Sequence, residues 1–161
     1  MESDFTRVPL EDDSIDAVYS VEAVAHALEP ESYFHEAGRL LRGGGKLILL
    51  DDYRVSRPLS PAEEGWLDSF IDGWHVPGVT TVKEAITFAE KNNLQLIKND
   101  DMTPYLRLRH LPDMVASILR FIGNHLPIKH AILPSLLGSM ALQQCLHLNV
   151  VEYRFLVFEK M

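Results

Sequence analysis

The chain has 161 residues, 47% hydrophobic and 24% charged, with 15 Lys+Arg against 23 Asp+Glu and a net charge of −8. This is globular composition for one core; it lacks the run of about eighteen apolar residues that a membrane span needs, and no charged-then-apolar leader suggests secretion. The acidic balance repels phosphate backbones and argues against nucleic-acid binding, while a single cysteine, Cys145, excludes an internal disulfide framework and points to a reducing cytoplasm.

The first ten residues read as extended, and the acidic turn Glu11-Asp12-Asp13-Ser14 follows as a solvated bend. Ile15 to Ser20 is a short apolar run bounded by turn residues, the pattern of a buried strand. A helix is expected from Pro30, whose missing N–H costs nothing in a first turn. Phe34, Ala37 and Leu41 share its face, and Gly43-Gly44-Gly45 are expected to stop it. Lys46 to Tyr53 holds four consecutive aliphatics, which predicts a strand covered on both faces, as in a parallel α/β sheet.

Ser60-Pro61-Ala62-Glu63 and Thr81-Val82-Lys83-Glu84 are capping boxes, each opening a helix. Trp66, Leu67, Phe70 and Ile71 form the first apolar stripe; Val82, Ala85, Ile86 and Ala89 form the second. Asn92-Asn93 end that helix and Leu94 to Lys98 is strand-like. A helical insert is expected over about 103–149, with one helix from Pro112 and another over Leu136 to Leu148. Val150 to Phe158, rich in β-branched and aromatic residues, is the last strand. The order is that of an α/β protein.

In an open α/β sheet, ligands bind beyond the carboxyl ends of the strands. Ser20 to Glu22, Asp51 to Tyr53 and Asn99 to Tyr105 occupy such positions, although strands also end in polar residues simply on reaching solvent. Asp51-Asp52 has the look of a metal-ligating pair, but consecutive strand residues point to opposite faces, and no His/Cys cluster has zinc-ligand spacing. No metal is therefore expected. Tyr105 and Trp74-His75 are candidate pocket residues. Cys145 reads as a small buried hydrophobe, and His110, His125, His130 and His147 as structural or exposed.

Three blocks carry a family resemblance: Asp4-Phe5-Thr6-Arg7-Val8-Pro9-Leu10, Asp13 to Ser20, and Arg39-Leu40-Leu41-Arg42-Gly43-Gly44-Gly45-Lys46-Leu47. In pattern and spacing they resemble the class I S-adenosylmethionine-dependent methyltransferases. Within these they resemble the small-molecule type 11 group that includes sarcosine/dimethylglycine, ubiquinone and sterol methyltransferases. The match is good over about the first 55 residues and looser from 94 to 161. Family members usually carry Arg-Pro-Gly-Gly before the fifth strand, whereas here Gly43 follows Arg42.

The resemblance implies a single carboxyl-terminal methyltransferase-like domain over 1–161. It would be a partial Rossmann-like sheet made of strands 4–7 of the full fold, with the insert before the last strand. It implies that Asp4 accepts the adenine amino hydrogens, that Phe5 adds its N–H and ring edge, and that Ser20, Val21 and Glu22 meet the methionine part of the cofactor. His26 would stand beside the methyl-transfer site. With Asp51 at a strand end and Tyr105 at the pocket, it completes the expected catalytic set. A sulfonium donor is already activated, so the protein mainly aligns donor and acceptor and excludes water. Glu22 or Asp51 would favour the sulfonium charge or hold an amine.

The glycine-rich turn and the ribose-binding acid of the full fold have no counterpart in these residues; Gly43-Gly44-Gly45 precede a strand, not a helix. Two functions follow as expectations. One is a methyltransferase whose activity needs a longer polypeptide or a complementing amino-terminal half. The other is an inactive methyltransferase-derived binding or assembly module. Either way Ile15 to Ser20 would be an open edge strand, favouring a homodimer or complementing partner. The acceptor is a small molecule, and the apolar insert (Leu106, Leu108, Leu111, Met114, Leu119) would cap a lipophilic one or pack on itself.

Overall fold

The computed structural model describes residues 4–108 and 132–161, the side chains of 132–134 excepted. Its strands are β1 (Ile15–Val21), β2 (Leu41–Arg54), β3 (Leu94–Asp101) and β4 (Val151–Lys160). Its helices are α1 (Pro30–Leu40), α2 (Pro61–Trp74), α3 (Val82–Glu90) and α4 (Ile132–His147), with short 3-10 turns at Val24–His26 and Thr103–Tyr105. The described strands form one sheet in the order β1-β2-β4-β3. β1 and β2 are parallel, and β4 runs antiparallel to both its neighbours.

Both capping boxes form. The Glu63 N–H donates to Ser60 Oγ at 3.4 Å and the Ser60 N–H to Glu63 Oε2 at 2.7 Å. At α3 the Glu84 N–H donates to Thr81 Oγ1 at 3.1 Å and the Thr81 N–H to Glu84 Oε2 at 2.7 Å. Each box satisfies two N–H groups that a helix start otherwise leaves open.

The glycine triplet behaves differently from expectation. α1 ends at Leu40, and β2 begins at the next residue. Register passes from Ile15↔Leu41 to Ala17↔Lys46, so residues 42–45 of β2 bulge opposite Asp16 alone. Gly44 takes φ +77°, and a Cβ on Gly45 would sit 2.8 Å from the Arg42 carbonyl oxygen and 3.1 Å from that of Asp16. The glycines shape a bulge inside the strand; they are not what stops the helix.

Alternation along β2 separates two cores. Leu47, Leu49 and Tyr53 face α1 and α3, packing with Phe34, Ala37, Ala85, Ala89, Leu156 and Phe158. Leu50 faces the other way, toward Trp66, Leu67 and Phe70 of α2 and Ala141 and Cys145 of α4, with Val151 and Tyr153 between. Leu47 and Leu49 are fully buried while Ile48 and Leu50 are half-buried, so both faces are covered, unequally. Truncating either buried leucine to alanine removes about 2–5 kcal/mol.

β1 is one edge of the described sheet, and on it Tyr19 and Val21 are 77% and 55% exposed. No described helix is long and apolar enough to cross a membrane. The second expected helix of the insert is present as α4, whereas the expected Pro112 helix, Leu111, Met114, Leu119, His110, His125 and His130 lie outside the described residues. Leu106 and Leu108 pack against the α2/α4 core.

Candidate functional site

The carboxyl ends of the parallel pair come together around one buried carboxylate. Asp51 is 2% exposed. Its Oδ2 accepts the N–H groups of Ala23 (3.0 Å) and Val24 (2.8 Å), and its Oδ1 accepts that of Asp52 (2.9 Å). The chain has just left β1 with Glu22 at φ 51°, and these bonds pin the 3-10 turn that carries His26. Burial raises the Asp51 pKa, and the three N–H donors only partly offset it. Asp51 thus holds the loop, and its oxygens are engaged by backbone.

The turn faces a cleft of about 430 Å³ lined by Asp4, Phe5, Thr6, His26, Ala27 and Leu28, among others. Its size is that of a small-ligand pocket. Asp4 Oδ1 accepts the N–H of Thr6 at 2.9 Å and its hydroxyl at 2.7 Å, which lowers the Asp4 pKa and keeps an acceptor at the cleft. The Phe5 ring meets Tyr33 edge-on at 5.8 Å, and the Tyr33 hydroxyl donates to Ser20 Oγ at 2.9 Å. Tyr33 therefore ties the amino-terminal segment to the end of β1.

A second device sets that segment. The buried Glu36 carboxylate accepts the Val8 N–H at 2.7 Å and two Arg39 donors, while Arg39 also donates to the carbonyls of Val8 and Leu10. The Arg39 guanidinium holds the Glu36 carboxyl below the usual range. By fixing residues 8–10 on α1, the pair places Asp4 and Phe5 at the cleft.

On the opposite face of β2, toward α2 and α4, lies another polar group. Asp52 is the register partner of Tyr153 across β2 and β4, and such directly opposed residues share a face. The Tyr153 hydroxyl donates to Glu22 Oε1 at 3.1 Å. Asp52 Oδ1 is buried and has no hydrogen-bond partner. Burial first, then the charges of Asp51 and Glu22, push the Asp52 carboxyl up to about 7. Cys145 is fully buried on α4, and burial, helped by Asp52, pushes its thiol up to about 12, so it stays protonated.

Of the residues expected from sequence, Asp4, Phe5 and His26 line one cleft, Ser20 joins it through Tyr33, and Asp51 holds its turn. Glu22 lies on the Tyr153 side. Val21 is an exposed edge residue. Tyr105 is 78% exposed in the turn after β3, a turn whose Thr103 Oγ1 accepts the Tyr153 N–H at 2.9 Å. Trp74 is 40% exposed at the end of α2, where His75 takes φ 52°. Asp51 and Asp52 do point to opposite faces, and among the described residues no group of three or more His, Cys, Asp or Glu is arranged to hold a metal. Sequence reasoning missed Tyr33, Tyr153 and the Glu36–Arg39 pair. Tyr153 sits in an apolar strand whose register gives it away only once β2 is beside it.

An acceptor at Asp4 and an open ring at Phe5 suit a purine. Gly43 to Gly45 lie in the bulge at the start of β2, away from the strand end that carries Asp51.

The family described as "Methyltransferase domain" matches residues 1–49. The sterol 24-C-methyltransferase erg6 of Schizosaccharomyces pombe is 30% identical over 110 residues, which cover 65% of this chain and 28% of that protein. The dimethylglycine N-methyltransferase of Parasynechococcus marenigrum is 28% identical over 109 residues, covering 68% of this chain and 37% of that protein. Among solved structures, a protein of Galdieria sulphuraria described as a sarcosine dimethylglycine methyltransferase superposes with TM-score 0.72 at 15% identity, covering 98% of this chain and 57% of that one. The geranyl diphosphate C-methyltransferase of Streptomyces coelicolor A3(2), solved with Mg2+, geranyl diphosphate and S-adenosyl-L-homocysteine, gives 0.68 at 12% identity, covering 99% and 51%. The chain thus spans about half the length of these structures and less than that of the curated relatives.

Proposed function

As a relative, in sequence and fold, of the class I S-adenosylmethionine-dependent methyltransferases, this chain, we propose, supplies the adenine-side and acceptor-side walls of an enzyme that methylates a small molecule. The observation that carries this reading is the shared cleft of Asp4, Phe5 and His26, fixed at the end of β1 by Asp51. Asp4 would accept the adenine amino hydrogens, Phe5 would cover the base, and Ser20 to Glu22 would face the methionine end. The cofactor supplies an activated methyl group. The protein's part is to orient the acceptor, exclude water and manage charge.

The methionine end also needs a close-approach glycine turn, which these 161 residues do not contain. We assign that cradle to a glycine-rich βαβ half, in a longer polypeptide or a complementing partner, paired along the open edge of β1. A second copy of the chain on that edge is the competing arrangement. Calorimetric titration with S-adenosyl-L-homocysteine, run on the chain alone and with a glycine-rich half, separates the readings. Tight binding only with the half supports the proposal. No binding in either case leaves an inactive assembly module.

A further inference from the structure

Among the described residues Arg39, Arg54 and Arg154 are the half-buried arginines, and two of them are engaged by acids: Arg39 by Glu36 and Asp12, Arg154 by Glu152. Arg54, the last residue of β2, makes no side-chain hydrogen bond or ion pair among the described residues. Its backbone is nonetheless fixed, because its N–H donates to the Thr80 carbonyl at 2.9 Å and the residue bridges to Thr81 at the start of α3. A guanidinium carries only donors, and taking it partly from water without an acceptor costs free energy that nothing near it offsets. Arg54 lines a cleft of about 190 Å³ with Leu28, Pro30, Val79, Thr80 and Glu84. Ala27 and Leu28 belong both to this cleft and to the larger one of Asp4, Phe5 and His26, so the two adjoin, with Leu28 86% exposed between them. Glu84 is the opposing charge, but its Oε2 is engaged by the Thr81 N–H at 2.7 Å and the Thr81 hydroxyl at 2.9 Å. Those bonds first, and the Arg54 charge last, hold the Glu84 carboxyl below its ordinary value, so Arg54 acts on Glu84 through space without pairing with it.

We propose that this second cleft anchors the methyl acceptor, that it takes a monoanionic carboxylate, and that Arg54 is the specificity-determining residue that holds it. The planar guanidinium presents a fork of N–H donors that matches a carboxylate. The Glu84 charge beside it penalises a dianion such as phosphate more than a monoanion. An acceptor held there by its carboxylate extends past Ala27 and Leu28 toward His26, in the cleft given to the methyl donor. The inference rests on the proposed function and narrows its acceptor to molecules that carry a carboxylate.

The test is NMR of the full chain during addition of butyrate, whose short apolar tail can lie along Leu28, with inorganic phosphate and butylammonium as comparison probes at constant ionic strength. Butyrate is expected to give saturable shifts at the Arg54 side-chain N–H groups and at the Leu28 and Thr80 amides, and butylammonium none. Arg54→Gln is expected to weaken butyrate by about tenfold, the loss of one charge-assisted pair, and Arg54→Lys by less. Lys98→Gln, on the edge strand β3, is expected to change nothing. Glu84→Gln keeps a capping-box residue and removes the repelling charge, so it is expected to tighten butyrate several-fold. Equal butyrate binding by wild type and Arg54→Gln, or phosphate bound as tightly as butyrate, overturns the inference. So does loss of S-adenosyl-L-homocysteine binding in Arg54→Gln, because the anion held there would then be the cofactor's own carboxylate. The butyrate titration needs no cofactor, so it fails separately from the proposed function: failure to take up S-adenosyl-L-homocysteine beside Arg54-dependent butyrate binding counts against that function alone.

Discussion

The two ends of β2 handle charge in opposite ways. At its start, around the glycine bulge, acids meet cations near solvent: Asp16 with Arg42, Glu159 with Lys46 at 2.5 Å, and Asp13 with Lys160 at 2.6 Å. At its finish Asp51, Asp52 and Glu22 meet backbone N–H groups, a phenol or nothing, and two of the three are taken from water. Exposed pairs like the first set contribute about 0–1 kcal/mol each. Burying acids without cations costs free energy that core packing must offset. Buried acids without cations at the carboxyl end of a parallel pair, and not at the other end, are what make that end the candidate site.

Breaking the buried end has the largest expected effect. Asp51→Ala strands the N–H groups of Ala23, Val24 and Asp52, and we expect a loss of about 3 kcal/mol in urea denaturation together with line broadening at His26. A loss below 1 kcal/mol would show that the turn is held by other contacts.

Next comes the pH dependence of Asp52. Its carboxyl is raised from 3.8 to about 7 in the folded chain, so the folded state binds the proton more tightly than the unfolded one. Stability from this group is therefore present at low pH and is lost as pH rises through the window from 3.8 to about 7. In Asp52→Asn that decline is expected to flatten, making the variant more stable than wild type at pH 8 by an amount on the order of 1–3 kcal/mol. Parallel stability profiles for the two proteins would contradict the assignment.

Smaller again is Tyr153→Phe, which removes one hydrogen bond to a partly solvated carboxylate and should cost about 1 kcal/mol in thermal unfolding. Smallest is Lys46→Ala at the exposed end, with an expected change under about 1 kcal/mol that disappears in high salt. If Lys46→Ala matched Asp51→Ala, the contrast between the ends would collapse.

Much of the architecture is legible in the sequence because it is encoded locally. The runs at Ile15, Lys46, Leu94 and Val150 are the four described strands, and two capping boxes set α2 and α3. The strand-end rule led to Asp51 because an aliphatic strand stopping in acid is visible without a partner. What the sequence hides is pairwise. The contrast between Asp51 and Asp52 depends on which N–H groups the β1 turn presents, and Tyr153 reaches Glu22 only because β4 runs beside β2 in one register. The glycine triplet misled for the same reason, since a bulge is a property of two strands and not of one. The turn that carries Tyr105 is likewise placed by pairing, because β3 runs beside β4 and Thr103 accepts the Tyr153 N–H.

The central claim, that the cleft beside β1 is the adenine side of a methyl-donor site, is met most directly by amide NMR of the chain during addition of S-adenosyl-L-homocysteine. The account predicts saturable shifts at Asp4, Phe5, Thr6 and His26 that are lost in Asp4→Ala, even if saturation takes millimolar ligand without a glycine-rich half. Shifts confined to other surfaces, or shifts unchanged in Asp4→Ala, would contradict it.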